Sequence, residues 1–583
     1  MGSPTPTGLV NYSVSVDGNE LSADFEIAGI TTYKGVNKIP YAKIIVVDGS
    51  VAEQTFAASS ADDLVPGKSV EIKAGYGTDL STIFKGIIIK HSIKINQDKS
   101  LLIIDCRDKN IKLTLNRDTQ VFEDQADSDI ISTVVSALGL SATVDSTDYS
   151  HPKVYKFDAL DWDFIVTRAE MNSMLVIADD GDLSVKKPDM SGEASLTLEY
   201  GNHIYELESD IDAKTQLSSV SSKSWDIGSQ ATTSGSSSDS GIPEIGNLQS
   251  SDLADVVSPS EFNMLHSGQL ASDELTAWSS AKLFKAKMSK ICGRVKCAGY
   301  SGVKVGDILE LKSLGDRFSG KHFVAAVRHD ITEGNWFTSV QFGINPEWFT
   351  DHIDINTKSA SGLIPAVHGL QIAKVKALQD DPDGELRIQV NLPMVDDDNT
   401  VWARMAFADA GDSRGICFRP EIDDEVIVGF FNDDIRFPVV LGSLYSSSAS
   451  APVDASDDNN TRGIYTKSGI KIEFDDENTV LSIETPAGNK ITLTDQDSEL
   501  DIEDQNGNTI KLSSSGIDIN SCSDLNVSAQ GAVNISTASG DASISGMNVT
   551  VSAQSQLTAS GNSSAEVSSP SQTSIKGGIV QIN

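Results

Sequence analysis

At 583 residues the chain is several times longer than a compact core of roughly 150 residues, so about four separately packed bodies are expected. Asp and Glu outnumber Lys and Arg 83 to 45, a formal net charge of -38, which excludes a mainly electrostatic grip on nucleic acid or anionic lipid and points to protein or neutral partners. Hydrophobic residues make up 39% and aromatic residues 6%, and no stretch approaches the ~20 apolar residues of a membrane-spanning helix, so a soluble chain is expected.

Residues 1–10 carry neither the basic nor the apolar segment of a secretory signal, which predicts synthesis and assembly in the cytoplasm. The cysteines Cys106, Cys292, Cys297, Cys417 and Cys522 are odd in number and scattered, the pattern of reduced thiols. Cys292 and Cys297 lie close together, yet the nearest candidate co-ligands, His322 and His329, have no zinc spacing. No metal and no cofactor are expected.

The first region, residues 1–360, reads as strands interrupted by helices. Segments 21–28, 42–47, 69–75, 83–95 and 101–107 alternate apolar and polar residues in several places and are separated by Asp, Gly and Asn turns, which predicts an antiparallel barrel or sandwich. Asp127 is the expected N-cap of a helix with Ile130, Ile131, Val134, Val135 and Leu138 in one apolar stripe, stopped at Gly139. A second helix follows Asp161, with Phe164, Ile165, Arg168 and Met171 in register. Residues 226–260, with the run GSQATTSGSSSDSG, hold too little apolar surface to fold alone and are expected as a flexible insertion. A third helix over 274–292 and strands over 307–312, 322–330 and 336–342 complete a second barrel.

From 362 to 446 the segments 368–377, 385–392, 401–407, 415–418, 425–431 and 439–444 are short and evenly spaced, the pattern of a small closed barrel of OB type. Such barrels often hold single-stranded nucleic acid, but residues 366–446 carry 15 acidic against 7 basic residues, and phosphate would be repelled. Residues 447–461 read as a linker.

The last region, 462–583, repeats. Apolar pairs two residues apart recur at Ile470/Ile472, Leu481/Ile483, Ile491/Leu493, Leu500/Ile502, Ile510/Leu512 and Ile517/Ile519. From Ile519 the second member falls at 527, 535, 544, 551, 559, 567 and 575, a period of 8 with a slip of one residue at 544. Alternate residues of a strand face opposite ways, so each repeat offers two inward apolar side chains and then a polar turn. A single chain with so short a repeat encloses too narrow a core, whereas three chains winding together close a triangular prism and pair each other's strand edges. The shared core is expected at Ile472, Ile483, Leu493, Ile502, Leu512, Ile519, Val527, Ile535, Ile544, Val551, Val567 and Ile575. Residues 519–583 hold only Asp524, Asp541, Glu566 and Lys576 as charges, which suits a slender shaft better than a binding surface.

This order of parts, with LDWDFIVTRAEM at 160–171, RGICFRPEIDDEVIVGFFNDDIRFPVVLGSLYS at 414–446 and the final SIKGGIVQIN, resembles the VgrG-like central spike of contractile injection systems, a relative of the contractile-phage hub and spike. The resemblance implies a mainly β chain: tube-protein-like β-barrels with a few helices as hub, an OB-type barrel as collar, and a C-terminal intertwined triple-stranded β-helix in a homotrimer. It further implies that the hub adapts threefold to sixfold symmetry at the first inner-tube ring, that baseplate proteins surround it, and that the whole touches the target membrane only transiently as it pierces. The blunt end, Gly577, Gly578, Ile579, Val580, Gln581, Ile582 and Asn583, is expected to dock a PAAR-like tip protein, and any effector is a separate cargo chain delivered outside the cell with the particle. Type VI, extracellular and membrane-anchored systems all remain open as its setting.

Enzymatic chemistry is not expected. Asp475, Asp476 and Glu477 invite a tailspike-like glycan depolymerase or adhesin as the alternative, because paired carboxylates on a β-helix serve general acid and base catalysis, but three acids in one turn also simply solvate it. No G-x-S-x-G elbow, Walker A loop or HExxH motif is present. Lys576 reads equally as a contact to the tip protein and as a surface charge.

Overall fold

The structure, a computed structural model, describes residues 2–4, 8–256 and 261–582. The chain divides into two compact units, Met1–Gly369 with Phe430–Pro438, and Leu370–Gly429 with Val439–Asn583.

In the first unit, strands from both halves of the sequence join one thirteen-stranded sheet. Its order passes from Glu206–Ile211 through Ile291–Ala298, Asn335–Phe342 and Gly320–Thr332 to Ile27–Gly35, Lys38–Val47, Ser100–Arg107, Asp79–Ile95, Ser69–Tyr76 and Val10–Val16. The halves meet where Ile331 pairs with Ile30 and Val327 with Lys34. Each half keeps its own core, one around Ile44, Ile72, Phe84 and Ile104, the other around Val295, Leu309, Val340 and Phe342. Alternation explains the first: along Lys38–Val47 the residues Pro40, Ala42, Ile44 and Val46 are buried, with more exposed neighbours between them. The strand expected over 21–28 lies instead at Ile27–Gly35, where Thr31, Thr32 and Tyr33 supply the β-branched and aromatic side chains that a strand favours.

The helices Asp127–Ala137 and Asp161–Met171 pack together over a third core with Ile130, Ile131, Val134, Ile165, Val166 and Val176. Asp127 is not the N-cap. Ala126 holds that position without a side-chain cap, and Asp127 turns inward from the first helical turn.

The expectation of a flexible insertion over 226–260 is corrected in part. Ala231–Ser237 forms a strand paired with Ser219–Asp226, which also pairs in parallel with Glu261–His266. Helix Ser272–Met288 covers this sheet, and the small residues are what let it approach. A Cβ on Gly235 would stand 2.5 Å from the Thr276 amide nitrogen, and the Ser222 hydroxyl donates to the Leu275 carbonyl at 2.9 Å. The serines and glycine that read as a linker are close-packing residues. Residues 257–260 of that stretch lie outside the described residues. The helix expected to reach residue 292 ends at Met288, and Cys292 belongs to the next strand.

In the second unit, five strands close a barrel in the order Gln371–Ala377, Ile388–Asn391, Thr400–Met405, Pro438–Ser443 and Glu425–Phe430. Ala373, Val375, Ile388, Val390, Ala403, Val426, Val428 and Val440 fill it. The segment 415–418 is not a barrel strand. Arg414–Gly415 makes a two-residue ladder with Ala410–Gly411, and Ile416 and Phe418 beyond it are exposed. Beyond the barrel, seven strands from Thr461–Tyr465 to Gly516–Asn520 form one antiparallel meander, and residues 521–582 form no strand.

Candidate functional site

The meander is built from five-residue strands joined by tight turns. Residues with positive φ, among them Gly469, Thr479, Gly488, Ser498 and Gly507, reverse the chain between strands, the backbone sign that hairpins need. The register then decides which side chains share a face. Ile464, Ile472, Ile483, Ile491, Ile502, Ile510 and Ile519 are successive ladder partners and make one column of isoleucine. Two residues away on the same face, Phe474, Leu481, Leu493, Leu500, Leu512 and Ile517 make a second column, mostly of leucine. The sequence pairing of Ile470 with Ile472 is replaced by Phe474 with Ile472, because Ile470 lies in the turn before Lys471–Asp475.

The opposite face is polar. Lys471 pairs with Glu484 at 3.1 Å, Lys511 with Glu499 at 2.8 Å, and the Tyr465 hydroxyl donates to Glu473 at 3.0 Å. One copy of the chain therefore leaves its two apolar columns partly exposed: Phe474 is 45% exposed and Ile502 38%. Such a contiguous apolar face marks a contact surface.

Of the expected core residues, Ile472, Ile483, Ile502 and Ile519 fall in the isoleucine column, and Leu493 and Leu512 in the leucine column. Val527, Ile535, Ile544, Val551, Val567 and Ile575 lie in the strandless stretch and are exposed, Val551 by 64%. Gly577, Gly578, Ile579, Val580, Gln581 and Ile582 are exposed as well, and Asn583 lies outside the described residues.

The acidic turn of the meander is a turn support. The Asp475 carboxylate accepts from the backbone amides of Glu477 and Asn478 and from the Asn478 side chain at 2.8 Å, and these bonds, the Asn478 side chain first, hold its pKa below the usual range. Asp476 pairs with Arg462 at 3.2 Å.

In the first unit, the 160–171 motif is a clamp. Burial alone would raise the Asp127 carboxyl, but His151 at 3.1 Å, the bidentate Arg168 at 2.6 and 2.9 Å, and Asn172 at 2.7 Å bring it down to about 2. Glu170 accepts from Lys285 at 2.6 Å and from the Phe349 amide at 2.8 Å, tying the motif to helix Ser272–Met288. Lys156, fully buried, bridges Asp118 and Asp161. Asp163 is 7% exposed, its carboxylate has no hydrogen bond among the described residues, and burial, opposed only by Arg117, raises its pKa. It borders a cleft of about 1090 Å³ walled by Trp162, Leu175, Trp348 and Phe349.

The remaining candidates are structural. His322 Nε2 faces the Phe318 carbonyl at 2.9 Å and His329 Nδ1 the Thr338 hydroxyl at 3.0 Å, and Cys297 is buried. Among the described residues no group of three or more His, Cys, Asp or Glu is placed to hold a metal ion, and no helix is long and apolar enough to cross a membrane.

A family model described as the Alg8 N-terminal domain matches residues 6–333, and one described as the type VI secretion system/phage-baseplate injector OB domain matches residues 371–445. Among solved structures, a 43 kDa tail protein of prophage MuSo2 from Shewanella oneidensis is similar at 10% identity and a TM-score of 0.44, over 58% of this chain and 98% of that one. The E. coli c3393 protein, described as a component of the type VI secretion system, is similar at 10% identity and 0.38, over 74% and 99%. The Francisella PdpA-VgrG complex is similar at 9% identity and 0.40, over 88% of each chain. No curated protein matches the sequence.

Proposed function

The chain belongs to the Alg8 N-terminal domain family and carries the injector OB domain of type VI secretion systems and phage baseplates, VgrG-like in its parts, and from this premise we propose that it is the trimeric hub and spike of a contractile injection system. Its role is structural. The observation that carries this reading is the apolar face of the meander, partly exposed in one copy along all seven strands. Three copies turning these faces toward a common axis bury them, and the polar faces with their Lys–Glu pairs look outward.

In this reading the hub nucleates the inner tube and adapts threefold to sixfold symmetry, and baseplate proteins surround it. The end at residues 577–583 carries a PAAR-like tip, effectors travel as separate chains, and sheath contraction drives the spike through the target envelope. Synthesis and assembly are cytoplasmic, and delivery is to the outside with the particle. Stiffness is the spike's own contribution.

Sedimentation of the purified chain tests the core of the proposal: a mass of three copies is expected, and a single-copy mass at assembly concentrations overturns it. Deleting residues 577–583 is expected to abolish tip recruitment while the trimer remains, and retained recruitment removes that assignment. Release of oligosaccharides from envelope glycans by the purified protein would favour the tailspike alternative.

A further inference from the structure

The shaft sequence repeats throughout, yet the chain treats its two parts differently. Up to Asn520 each strand of the meander finds its ladder partners within the same chain. From Ser521 to Ile582 no strand forms, and no backbone-to-backbone bond involves these residues. The turns change as well. The last positive φ among the described residues is at Gly516, so nothing beyond it folds the chain back on itself as the meander turns do. The distal apolar pairs persist all the same, and a segment with strand-like alternation but no hairpin reversals must find its ladder on other chains.

Other copies of this chain are the occupants that fit. A surface that repeats every 8 residues over many rungs is matched only by a partner with the same period, and this chain has it. Matching alone is insufficient, because a periodic strand slipped by a whole repeat presents nearly the same face, so the distal segment specifies its stagger weakly. The meander does not share that ambiguity. Its columns differ, one of isoleucine and one of leucine, with Phe474 at one end and Ile517 at the other.

Resting on the trimeric reading above, we infer that the meander of residues 461–520 is a preformed docking and register clamp for two further copies, and that residues 521–582 acquire their strands only afterwards, by zipping between the three chains. The energetics set this order. Ordering the distal backbone costs roughly 1–2 kcal/mol per residue, and its small side chains return little until three strands are together. Docked meanders supply those strands at high effective concentration and in one stagger.

Two single substitutions in the full chain separate the halves. Val551→Asp is expected to keep the three-copy mass and the protease protection of 461–520, with protection lost in the distal shaft. Leu493→Asp is expected to give a single-copy mass and no protection anywhere in 521–582, while the hub melting transition, an internal control for folding, stays in place. A trimer with a protected distal shaft in Leu493→Asp overturns the inference, as does loss of the trimer in Val551→Asp. A wild-type chain that sediments as one copy sinks the trimeric reading itself, which distinguishes the two failures.

Discussion

Ile502 stands mid-ladder between Ile491 and Ile510 and is still 38% exposed in one copy. Complete burial of such a side chain is worth about 1.5–3 kcal/mol, so covering the remainder contributes about 0.6–1.1 kcal/mol per chain and about 2–3 kcal/mol per trimer. Ile502→Asp forfeits this and brings three carboxylates among Ile491, Ile510, Leu493 and Leu512, where desolvation costs several kcal/mol per ion, so the loss per trimer is on the order of 10 kcal/mol. The carboxyls can escape by taking up protons. Their pKa in the trimer would then lie above the ordinary value of about 4, so assembly of the variant is favoured below that value and lost as pH rises through the raised pKa. Sedimentation at neutral and at mildly acidic pH reads both effects. Thr492→Lys, on the opposite face of the neighbouring strand and facing Asp501 in the ladder, is the control for an added charge and is expected within about 0.5 kcal/mol of wild type. A trimer of unchanged stability in Ile502→Asp, or equal damage from the two variants, refutes the placement of this face at a shared axis.

Arg168→Met leaves the Asp127 carboxylate buried with only His151 and Asn172, and is expected to cost the hub about 3–5 kcal/mol, read as a lower melting transition. The folded Asp127 carboxyl is lowered to about 2, so its contribution is complete above the ordinary carboxyl range and fades as pH falls from about 4 through the folded value. The gap between wild type and variant therefore narrows on acidification, and a constant gap would show that the ion pair is not its cause. Asp163→Asn removes an unpaired carboxylate whose pKa is raised by burial, and is expected to raise the hub melting temperature at neutral pH, with the gain shrinking toward acid; a lower melting temperature counts against it. Thiol labelling of the native chain is expected at exposed Cys417, with Cys106 and Cys297, both pushed by burial up to about 12, reacting only after unfolding; rapid labelling of all three would show an open hub.

Much of this was legible because strand periodicity is a local signal. The alternation that buries Ala42, Ile44 and Val46, the helical stripe from Ile130 to Val135 and the paired apolar residues of the shaft each follow from spacing alone. What escaped depends on contacts distant in sequence. Asp127 has the residue type of a cap, but Arg168, 41 positions away, recruits it as a buried anion instead. The serines of 231–237 have the composition of a linker, and only the helix that leans on Gly235 reveals them as close-packed. Phe474 was missed as a core member because the turn before Lys471 shifts which apolar residues fall on one strand.

The distribution of charge along the shaft follows from the same division between self-paired and borrowed ladders. A meander that completes its own sheet exists as a sheet before assembly, with an apolar face exposed to its neighbours, and its charged outer face keeps that form soluble. Cross-strand pairs such as Lys471 with Glu484 and Lys511 with Glu499 set some of its charges against opposite ones within the chain. The distal segment has no such internal partner, and in the proposed trimer its ladder neighbours would belong to other copies carrying the same residue. In that trimer each charge placed there would be repeated by threefold symmetry, well within a Debye length of about 8–10 Å, as like against like. A segment that can order only between copies of itself is thus driven toward Ser, Thr, Asn, Ala and Gly, and four charges in residues 519–583 is the composition that this constraint leaves.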